Sequence, residues 1–298
     1  MWPYLSGGTI SMSDAVLKQW NNITFGFHQN YIQEVMAECQ QLLRKNHLYS
    51  SEAPILLIAP QDFHPQTLKE IAYENYKWIQ LSTAGYDFFP LTLVPQETTV
   101  TRCVSSYSAP ICNYIMRELF VWFAERGLKG LKIFILGNGP ISKRLQAIFD
   151  LLEVEYVIYQ TTETNIAKRL VRSFESIHKC HAIVNLLPLN SGTYGVLDRS
   201  LLSRLCADTV IINPSRGEHV DQRALEEKLS QGQLKASLDT TTPDPLPADH
   251  LLRTLSNCRV SDHVAWKSGQ REHYFLDDFI ANYNKFLRTE PLDGVINE

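Results

Sequence analysis

The run Gly137-Asn138-Gly139-Pro140-Ile141-Ser142 stands directly after the apolar stretch Lys132 to Leu136 and directly before a helical pattern. Glycines in that setting permit a tight turn and close approach of the backbone to a pyrophosphate, while the helix start offers amides and the positive end of its dipole. The chemistry on offer is dinucleotide binding, with Gly137, Asn138, Gly139, Pro140 and Ile141 around the phosphates. Three features modify it. Ser142 occupies the third glycine position and adds a little bulk where helix and strand pack. Pro140 suits the first helical position but carries no N–H, so one phosphate donor is lost. At the end of the second strand, where an acidic residue would bind a ribose 2′-hydroxyl, stand Tyr159, Gln160, Thr161 and Thr162. Nothing there repels a 2′-phosphate and no Arg there holds one. Gln160 and Thr161 are the expected ribose contacts, and NAD or NADP stays open with a lean to NADP.

The elements that position this turn are legible in the alternation of apolar runs. From residue 22, short β-rich runs alternate with helical patterns, as in α/β units around a largely parallel sheet. The pattern predicts strands at Ile23 to Phe27, Ile55 to Ala59, Trp78 to Leu81 and Thr98 to Cys103, with helices over Tyr31 to Leu43 and Thr67 to Tyr73. A strong helix follows, with Ser108 as its expected cap, Pro110 in its first turn, and Ile111, Ile115, Leu119 and Phe123 on one face. After Gly127 the alternation restarts. Strands are predicted at Lys132 to Leu136, Tyr156 to Tyr159, Ala182 to Leu187, Val210 to Asn213 and Ala236 to Leu238, with a helix over Pro140 to Leu152. Two α/β domains follow, the second starting near residue 106.

Composition agrees and excludes several function classes. A chain of 298 residues with 44% apolar residues supplies about two globular domains, not a disordered, collagenous or disulfide-held chain. A net charge of −4, with no run of five like charges, lacks the basic stripe of a nucleic-acid or anionic-membrane binder. The best apolar stretch, Ile111 to Ala124, is interrupted by Arg117 and Glu118 and is too short to span a bilayer. Met1 to Ile10 has neither a basic start nor the apolar run of a secretory signal, so a cytoplasmic protein is expected. The 6 cysteines lie far apart and never as Cys-x-x-Cys, which predicts reduced and mostly buried thiols. His178, Cys180 and His181 have no second ligand pair elsewhere, so no metal is expected.

A second region is far more specific. Val210-Ile211-Ile212-Asn213-Pro214-Ser215-Arg216-Gly217, Val220-Asp221, Ala224-Leu225, Gly232-Gln233-Leu234, Leu238-Asp239, Pro243-Asp244-Pro245-Leu246-Pro247 and Ser261-Asp262-His263-Val264-Ala265 follow in an order and spacing that resembles the D-isomer specific 2-hydroxyacid dehydrogenase family. Asn185-Leu186-Leu187-Pro188-Leu189 with Thr193 looks like that family's Pro-Leu segment, and Ser82-Thr83-Ala84-Gly85-Tyr86-Asp87 like its substrate-carboxylate loop. The resemblance runs from about residue 22 to 285. It implies a Rossmann-type dinucleotide-binding domain, 106–268, inserted into a discontinuous flavodoxin-like substrate domain, 1–105 and 269–298. The implied activity is hydride transfer between NAD(P)H and a 2-oxo acid or its D-2-hydroxy acid.

The catalytic trio implied by the resemblance is Arg216, Asp244 and His263. Reduction of a 2-oxo acid needs a proton for the carbonyl oxygen as it becomes alkoxide, and an imidazole, which titrates near neutrality, can deliver and recover it. Asp244 is assigned to the other ring nitrogen of His263, fixing its tautomer. The family more often uses Glu there, so the shorter Asp predicts a looser pair unless the loop at Thr241 to Pro245 moves inward. Arg216 offers a permanently charged fork for the substrate carboxylate. By the same resemblance the amides of Ala84, Gly85 and Tyr86 complete the carboxylate site from the opposite domain, in the interdomain cleft. Asp239 helps place the nicotinamide, Pro188 and Thr193 lie on the cofactor side, and Trp266 walls the substrate pocket. Taken singly, Arg216 is an ordinary ion-pairing residue, and Tyr86 and Trp266 are equally readable as core aromatics. His219, His250 and His273 belong to no motif and read as packing or solvent-facing residues.

A rival reading from another class is a non-catalytic dinucleotide sensor or scaffold on the same fold, motivated by Pro140, Ser142 and Gln160 at the cofactor turn. The family's usual long dimer-forming segment after the crossover helix is cut to Phe123 to Leu131 here, although a homodimer is still expected.

Overall fold

The structure, a computed structural model, describes residues 23–25, 55–58, 68–69, 73–160, 170–171, 173–267 and 275–296. The predicted helix Tyr31 to Leu43, Thr161, His273 and Cys39 lie outside the described residues. The chain divides into two compact units, Met1–Ser106 with His273–Glu298, and Tyr107–Glu272.

In the first unit four strands pair in parallel in the order β1 (Ile23–Phe25), β2 (Ile55–Ile58), β3 (Trp78–Leu81), β4 (Thr99–Thr101). All four residues of β3 are buried, which requires cover on both faces of the sheet. A helix from Phe275 to Leu287 supplies part of that cover, stacking Phe279 and Phe286 on Trp78 with ring centroids 5.4 Å apart in each case. Gln80 and Thr101 are polar and fully buried, and they are satisfied inside the core: Trp78 Nε1 donates to Thr101 Oγ1 at 2.7 Å, and Thr101 Oγ1 to Gln80 Oε1 at 2.8 Å. Of the expected helix at Thr67 to Tyr73 the described residues 68–69 are helical, and Tyr73 opens a 3-10 turn, Tyr73–Asn75.

The second unit holds a seven-stranded parallel sheet. In chain order its strands are β5 (Lys132–Leu136), β6 (Glu155–Tyr159), β7 (Leu170–Val171), β8 (Ala182–Asn185), β9 (Thr209–Asn213), β10 (Leu234–Leu238) and β11 (Cys258–Val260); in space they run β11-β10-β9-β8-β5-β6-β7. The chain moves outward from β5 through β6 to β7, then returns to the other side of β5 for β8. This reversal is the switch point of a doubly wound Rossmann sheet. Helices α1 (Ser108–Trp122), α2 (Pro140–Leu151), α3 (Arg199–Ser203) and α4 (Gln222–Ser230) flank it, and the C-terminal helix of the first unit is α5.

Alternation explains both faces. In β5, Ile133 and Ile135 join a core with Ile115 and Leu119 of α1 and Leu145 and Phe149 of α2, whereas Phe134 and Leu136 join a core with Leu201 of α3 and Leu225 of α4. Successive strand side chains point to opposite faces, so a near-continuous apolar run feeds two cores. Each such Leu, Ile or Phe contributes about 1.5–3 kcal/mol of burial.

Three boundary expectations change, the first in β4, which spans only Thr99–Thr101 of the expected Thr98 to Cys103. Ser108 is the first helical residue of α1 and not its cap, because the cap position falls on Tyr107, whose side chain makes no capping bond. Strand β8 ends at Asn185, short of the expected Leu187, where the Asn185 carboxamide turns back to accept the Leu187 amide at 3.2 Å.

Candidate functional site

The glycine turn leaves β5 at the switch point. Gly137 has φ +103, and a Cβ there would lie 2.9 Å from the Leu186 carbonyl oxygen just beyond β8. Only glycine fits both constraints. Gly139 caps α2 with Pro140 in the first turn, and a Cβ on Gly139 would meet nothing within 4 Å. Open space thus lies before a helix start whose amides and dipole suit an anion. A dinucleotide pyrophosphate fits this cradle. Asn138 Nδ2 donates to Gln160 Oε1 at 2.8 Å, and Gln146 Nε2 donates to Asn138 Oδ1 and Ser142 Oγ at 3.2 and 3.1 Å. Ser142 is fully buried, so the bulk at the third glycine position is accommodated, with its hydroxyl satisfied one helical turn on. Gln160 stands at the end of β6, and no carboxylate precedes or replaces it among Tyr159 and Gln160.

Beyond β8 the Pro-Leu segment is braced from beneath. Thr193 Oγ1 donates to the Pro188 carbonyl at 2.6 Å, and Asn185 Nδ2 donates to Asn213 Oδ1 and faces His219 Nδ1, both at 2.9 Å. The approach of an amide donor makes Nδ1 of the fully buried His219 an acceptor, leaving Nε2–H for the Pro188 carbonyl at 3.3 Å. Burial holds the His219 pKa below its ordinary value of 6.5, aided by the nearby Arg216 charge and opposed by its bonds to the Pro188 and Arg216 backbone and by Glu218. The unfolded chain therefore takes up a proton that the folded one refuses. The stabilisation is complete above about pH 6.5 and is lost as pH falls from there toward the depressed folded value. Thermal melts at descending pH are expected to show this loss, and a His219→Gln variant a flatter profile; equal slopes would exclude His219 as its source.

Arg216, Asp239, Asp244 and His263 all follow the C-terminal ends of the adjacent strands β9, β10 and β11, the edge where parallel α/β sheets bind ligands. Asp244 Oδ2 and His263 Nδ1 are 2.9 Å apart, with side chains 30% and 46% exposed. The looser pair expected from the shorter acid does not form: the loop carries the carboxylate to full hydrogen-bond distance. That leaves Nε2 as the ring nitrogen directed away from the acid, in a dyad whose side chains are both partly exposed. Gly217 ties the Arg216 loop to the Asp244 loop, since a Cβ on Gly217 would come within 2.3 Å of the Thr241 backbone. Arg216 itself is half-buried, its Nη1 donating to the Ser215 carbonyl at 2.9 Å.

His263 is held in an unfavourable backbone conformation. Asp262 and His263 have φ of 51 and 59, a left-handed pair that costs L-residues about 1–2 kcal/mol each. Asp239 offsets this cost. Its buried carboxylate accepts from Ser261 Oγ at 2.7 Å and from the amides of Val264 and Ala265 at 2.8 and 2.9 Å, and its carbonyl accepts the His263 amide at 2.6 Å. Because the Ser261 hydroxyl gives its proton to Asp239, Tyr114 of α1 donates to Ser261 Oγ at 2.9 Å, and burial pushes the Tyr114 phenol well up, keeping it a neutral donor. Trp266 Nε1 donates to the His263 carbonyl at 2.9 Å and meets Tyr107 edge to face. Each of these groups braces the loop.

In the first unit, Ser82 to Asp87 leaves β3 as a bend. Thr83 Oγ1 donates to the Gly85 carbonyl at 2.7 Å and Arg102 Nη1 to the Ala84 carbonyl at 3.3 Å, while Tyr86 packs against the core around Phe89. Sequence reasoning missed Tyr114, Gln146, and above all Arg253, whose guanidinium pairs with Asp262. Nothing in the linear sequence joins Arg253 to Asp262, so no local signal pointed to the pair. Cys103, Cys112, Cys180 and Cys258 are buried free thiols, and Cys206 is exposed. His181 Nδ1 accepts the Lys132 amide at 2.8 Å; among the described residues no group of three or more metal-ligating side chains is gathered. Nor, among them, is any helix long and apolar enough to cross a membrane.

Comparison with known proteins gives one family and a consistent set of relatives. Residues 116–265, half of the chain, match the family described as D-isomer specific 2-hydroxyacid dehydrogenase, NAD binding domain. The human protein named glyoxylate reductase/hydroxypyruvate reductase is 28% identical over 179 residues, 58% of this chain and 55% of that protein. A Blautia hydrogenotrophica hydroxypyruvate reductase is 24% identical over 173 residues, 56% of this chain and 54% of that protein. The match therefore spans about half the length of these curated relatives. Among solved structures, a probable 2-hydroxyacid dehydrogenase from Rhizobium etli, in complex with NADP, HEPES and L(+)-tartaric acid, shares the fold with a TM-score of 0.73 at 19% identity, covering 92% of this chain and 96% of that one.

Proposed function

The chain belongs to the D-isomer specific 2-hydroxyacid dehydrogenase family, and from that premise we propose that it is an NAD(P)-dependent oxidoreductase interconverting a 2-oxo acid and its D-2-hydroxy acid. The observation that carries this reading is the 2.9 Å contact between Asp244 and His263 at the mouth of the parallel sheet. A bound reduced nicotinamide supplies the hydride. His263 supplies the proton for the carbonyl oxygen from Nε2, while Asp244 holds Nδ1 and stabilises the imidazolium before transfer. Arg216 grips the substrate carboxylate and polarises the neighbouring carbonyl, with the backbone of Ala84, Gly85 and Tyr86 assigned to the same carboxylate. In the oxidative direction the same imidazole, deprotonated, takes the hydroxyl proton. Gly137, Asn138, Gly139, Pro140 and Ile141 are assigned to the pyrophosphate, Gln160 and Thr161 to the ribose, and Pro188, Thr193 and Asp239 to the nicotinamide side. Trp266 is assigned to the pocket wall, where it limits substrate size.

For the cofactor, the reading leans to NADP. Gln160 presents an uncharged carboxamide where a carboxylate would repel a 2′-phosphate, and the Rhizobium etli relative was solved with NADP. Parallel titration of the purified protein with NADPH and NADH, read by energy transfer from tryptophan, is expected to show NADPH binding at least as tightly. NADH binding tenfold tighter, about 1.4 kcal/mol, would reverse the preference. Turnover is tested by following oxidation of the reduced nicotinamide with glyoxylate, hydroxypyruvate and bulkier 2-oxo acids. Micromolar cofactor binding without turnover on any of them would favour the dinucleotide-sensing alternative. A homodimer, in a cytoplasmic setting, completes the proposal, and sedimentation of the purified protein tests the dimer.

A further inference from the structure

Arg253 lies outside every motif in the sequence and hydrogen-bonds to neither Asp244 nor His263, yet its guanidinium spans the two loops that carry them. Nη1 donates to Asp262 Oδ2 at 2.9 Å and Nη2 to Asp262 Oδ1, so the pair is a two-pronged fork on the residue just before His263. The remaining donors reach the other loop: Nη2 to the Leu246 carbonyl at 2.8 Å and Nε to the Pro247 carbonyl at 3.0 Å, two and three residues after Asp244. Four directed bonds from one planar group fix the separation of two loops more tightly than a point charge would. Leu246 is buried, so the Asp244 side of the clamp is anchored in the core. The His263 side needs anchoring, because Asp262 and His263 both sit in left-handed conformations that the chain leaves readily.

We infer that Arg253, through its fork to Asp262, is a positioning residue that sets the Asp244–His263 contact. The pair is partly solvated, its side chains 22% and 44% exposed, so its contribution to global stability is modest. The role is geometric: a dyad misplaced by an ångström loses rate far out of proportion to any change in stability. Asp239 fixes the path of the His263 loop from below, at the sheet; Arg253 fixes it from the side, against the acid. The kinetic consequence rests on the oxidoreductase reading, but the geometric claim does not.

The test uses the full chain and two variants, Arg253→Ala and Asp262→Asn, the second keeping a residue type that tolerates the left-handed conformation. The first readout needs no turnover. In 1H–15N spectra of the imidazoles, Asp244→Asn defines how the His263 ring resonances look without the acid. Both clamp variants are expected to move those resonances most of the way to that position although neither alters a dyad residue. The second readout is kinetic. Each variant is expected to lower kcat by about 10- to 100-fold with KM for the nicotinamide cofactor unchanged within about twofold, and in the Asp244→Asn background Arg253→Ala is expected to cost less than about twofold more. Full additivity with Asp244→Asn would assign Arg253 a general structural role and overturn the proposal. So would His263 resonances that stay as in the unaltered protein in both variants, whatever the activity. Shifted resonances in a protein that turns over no 2-oxo acid would uphold the clamp and refute the functional reading instead.

Discussion

Replacing His263 with alanine is expected to lower kcat for 2-oxo acid reduction by about 10²–10⁴-fold while leaving the Kd for NADPH within about threefold. The expectation follows from the placement of the ring. Its Nδ1 is committed to Asp244 at 2.9 Å, and its Nε2 is the ring nitrogen directed away from that contact. Removing the ring removes the proton source but none of the cradle at Gly137 to Ile141, which lies beyond β5, with three strands between it and β11 and its His263 loop. Steady-state kinetics paired with a fluorescence titration separate the two effects. A variant that retains wild-type turnover would sink the assignment of His263 as proton donor, and one that loses cofactor binding along with turnover would show that the loop had collapsed. His263→Ala also relieves no backbone strain, since alanine is no more at ease than histidine at a φ of 59.

The next largest effect is expected from a change at the residue that anchors the His263 loop. Asp239→Asn conserves size and shape, yet it should reduce kcat by about 100-fold and stability by about 2–3 kcal/mol. Both carboxylate oxygens of Asp239 accept, one from Ser261 Oγ and the Val264 amide, the other from the Ala265 amide. A carboxamide offers one acceptor oxygen and turns an NH2 toward a donor. One or two buried donors are then left facing another donor, in a site where Asp239 is 1% exposed and water cannot replace the lost bond. The loop that holds Asp262 and His263 in left-handed conformations loses its main anchor. Thermal melting and kcat should fall together, and an Asn variant with the melting temperature and turnover of the unaltered protein would show that Asp239 does not anchor this loop. Its effect contrasts with that of Arg253→Ala, for which activity is expected to fall with little loss of stability.

Local patterns carried most of the second unit. Strands β5, β6, β9 and β10 fall within two residues of their predicted limits; β5 and β9 are near-continuous apolar runs of the kind that burial on both faces demands, whereas β10 carries Lys235 and Ser237 between its apolar residues and starts two residues before its predicted limit. The glycine turn was legible for a similar reason: a strand, two glycines and a helix start compress a whole binding geometry into six consecutive residues. The pairing of Asp244 with His263 was proposed from resemblance with its tightness left to the path of the Thr241 to Pro245 loop, because the length of one side chain does not say where a loop lies; the structure places that loop inward, with the pair at 2.9 Å. Gly217 is the residue that permits this inward path, since a Cβ on it would collide with the Thr241 backbone, and the contact joins segments that follow two different strands.

The amino-acid sequence by itself determined the class of fold, the dinucleotide turn and the residue types available for acid–base chemistry, because these depend on periodicity and on neighbours along the chain. The tertiary structure decided which side chains hold the chemistry in place. Tyr114, Ser261 and Asp239 form one relay of hydrogen bonds from α1 to the His263 loop, Asn185 and His219 brace the Pro188 segment, and Arg253 reaches both loops of the dyad. Partners of this kind are set by strand order and by buried polar groups that must find a hydrogen bond wherever the fold brings a donor and an acceptor together, and neither condition leaves a periodic trace in the sequence.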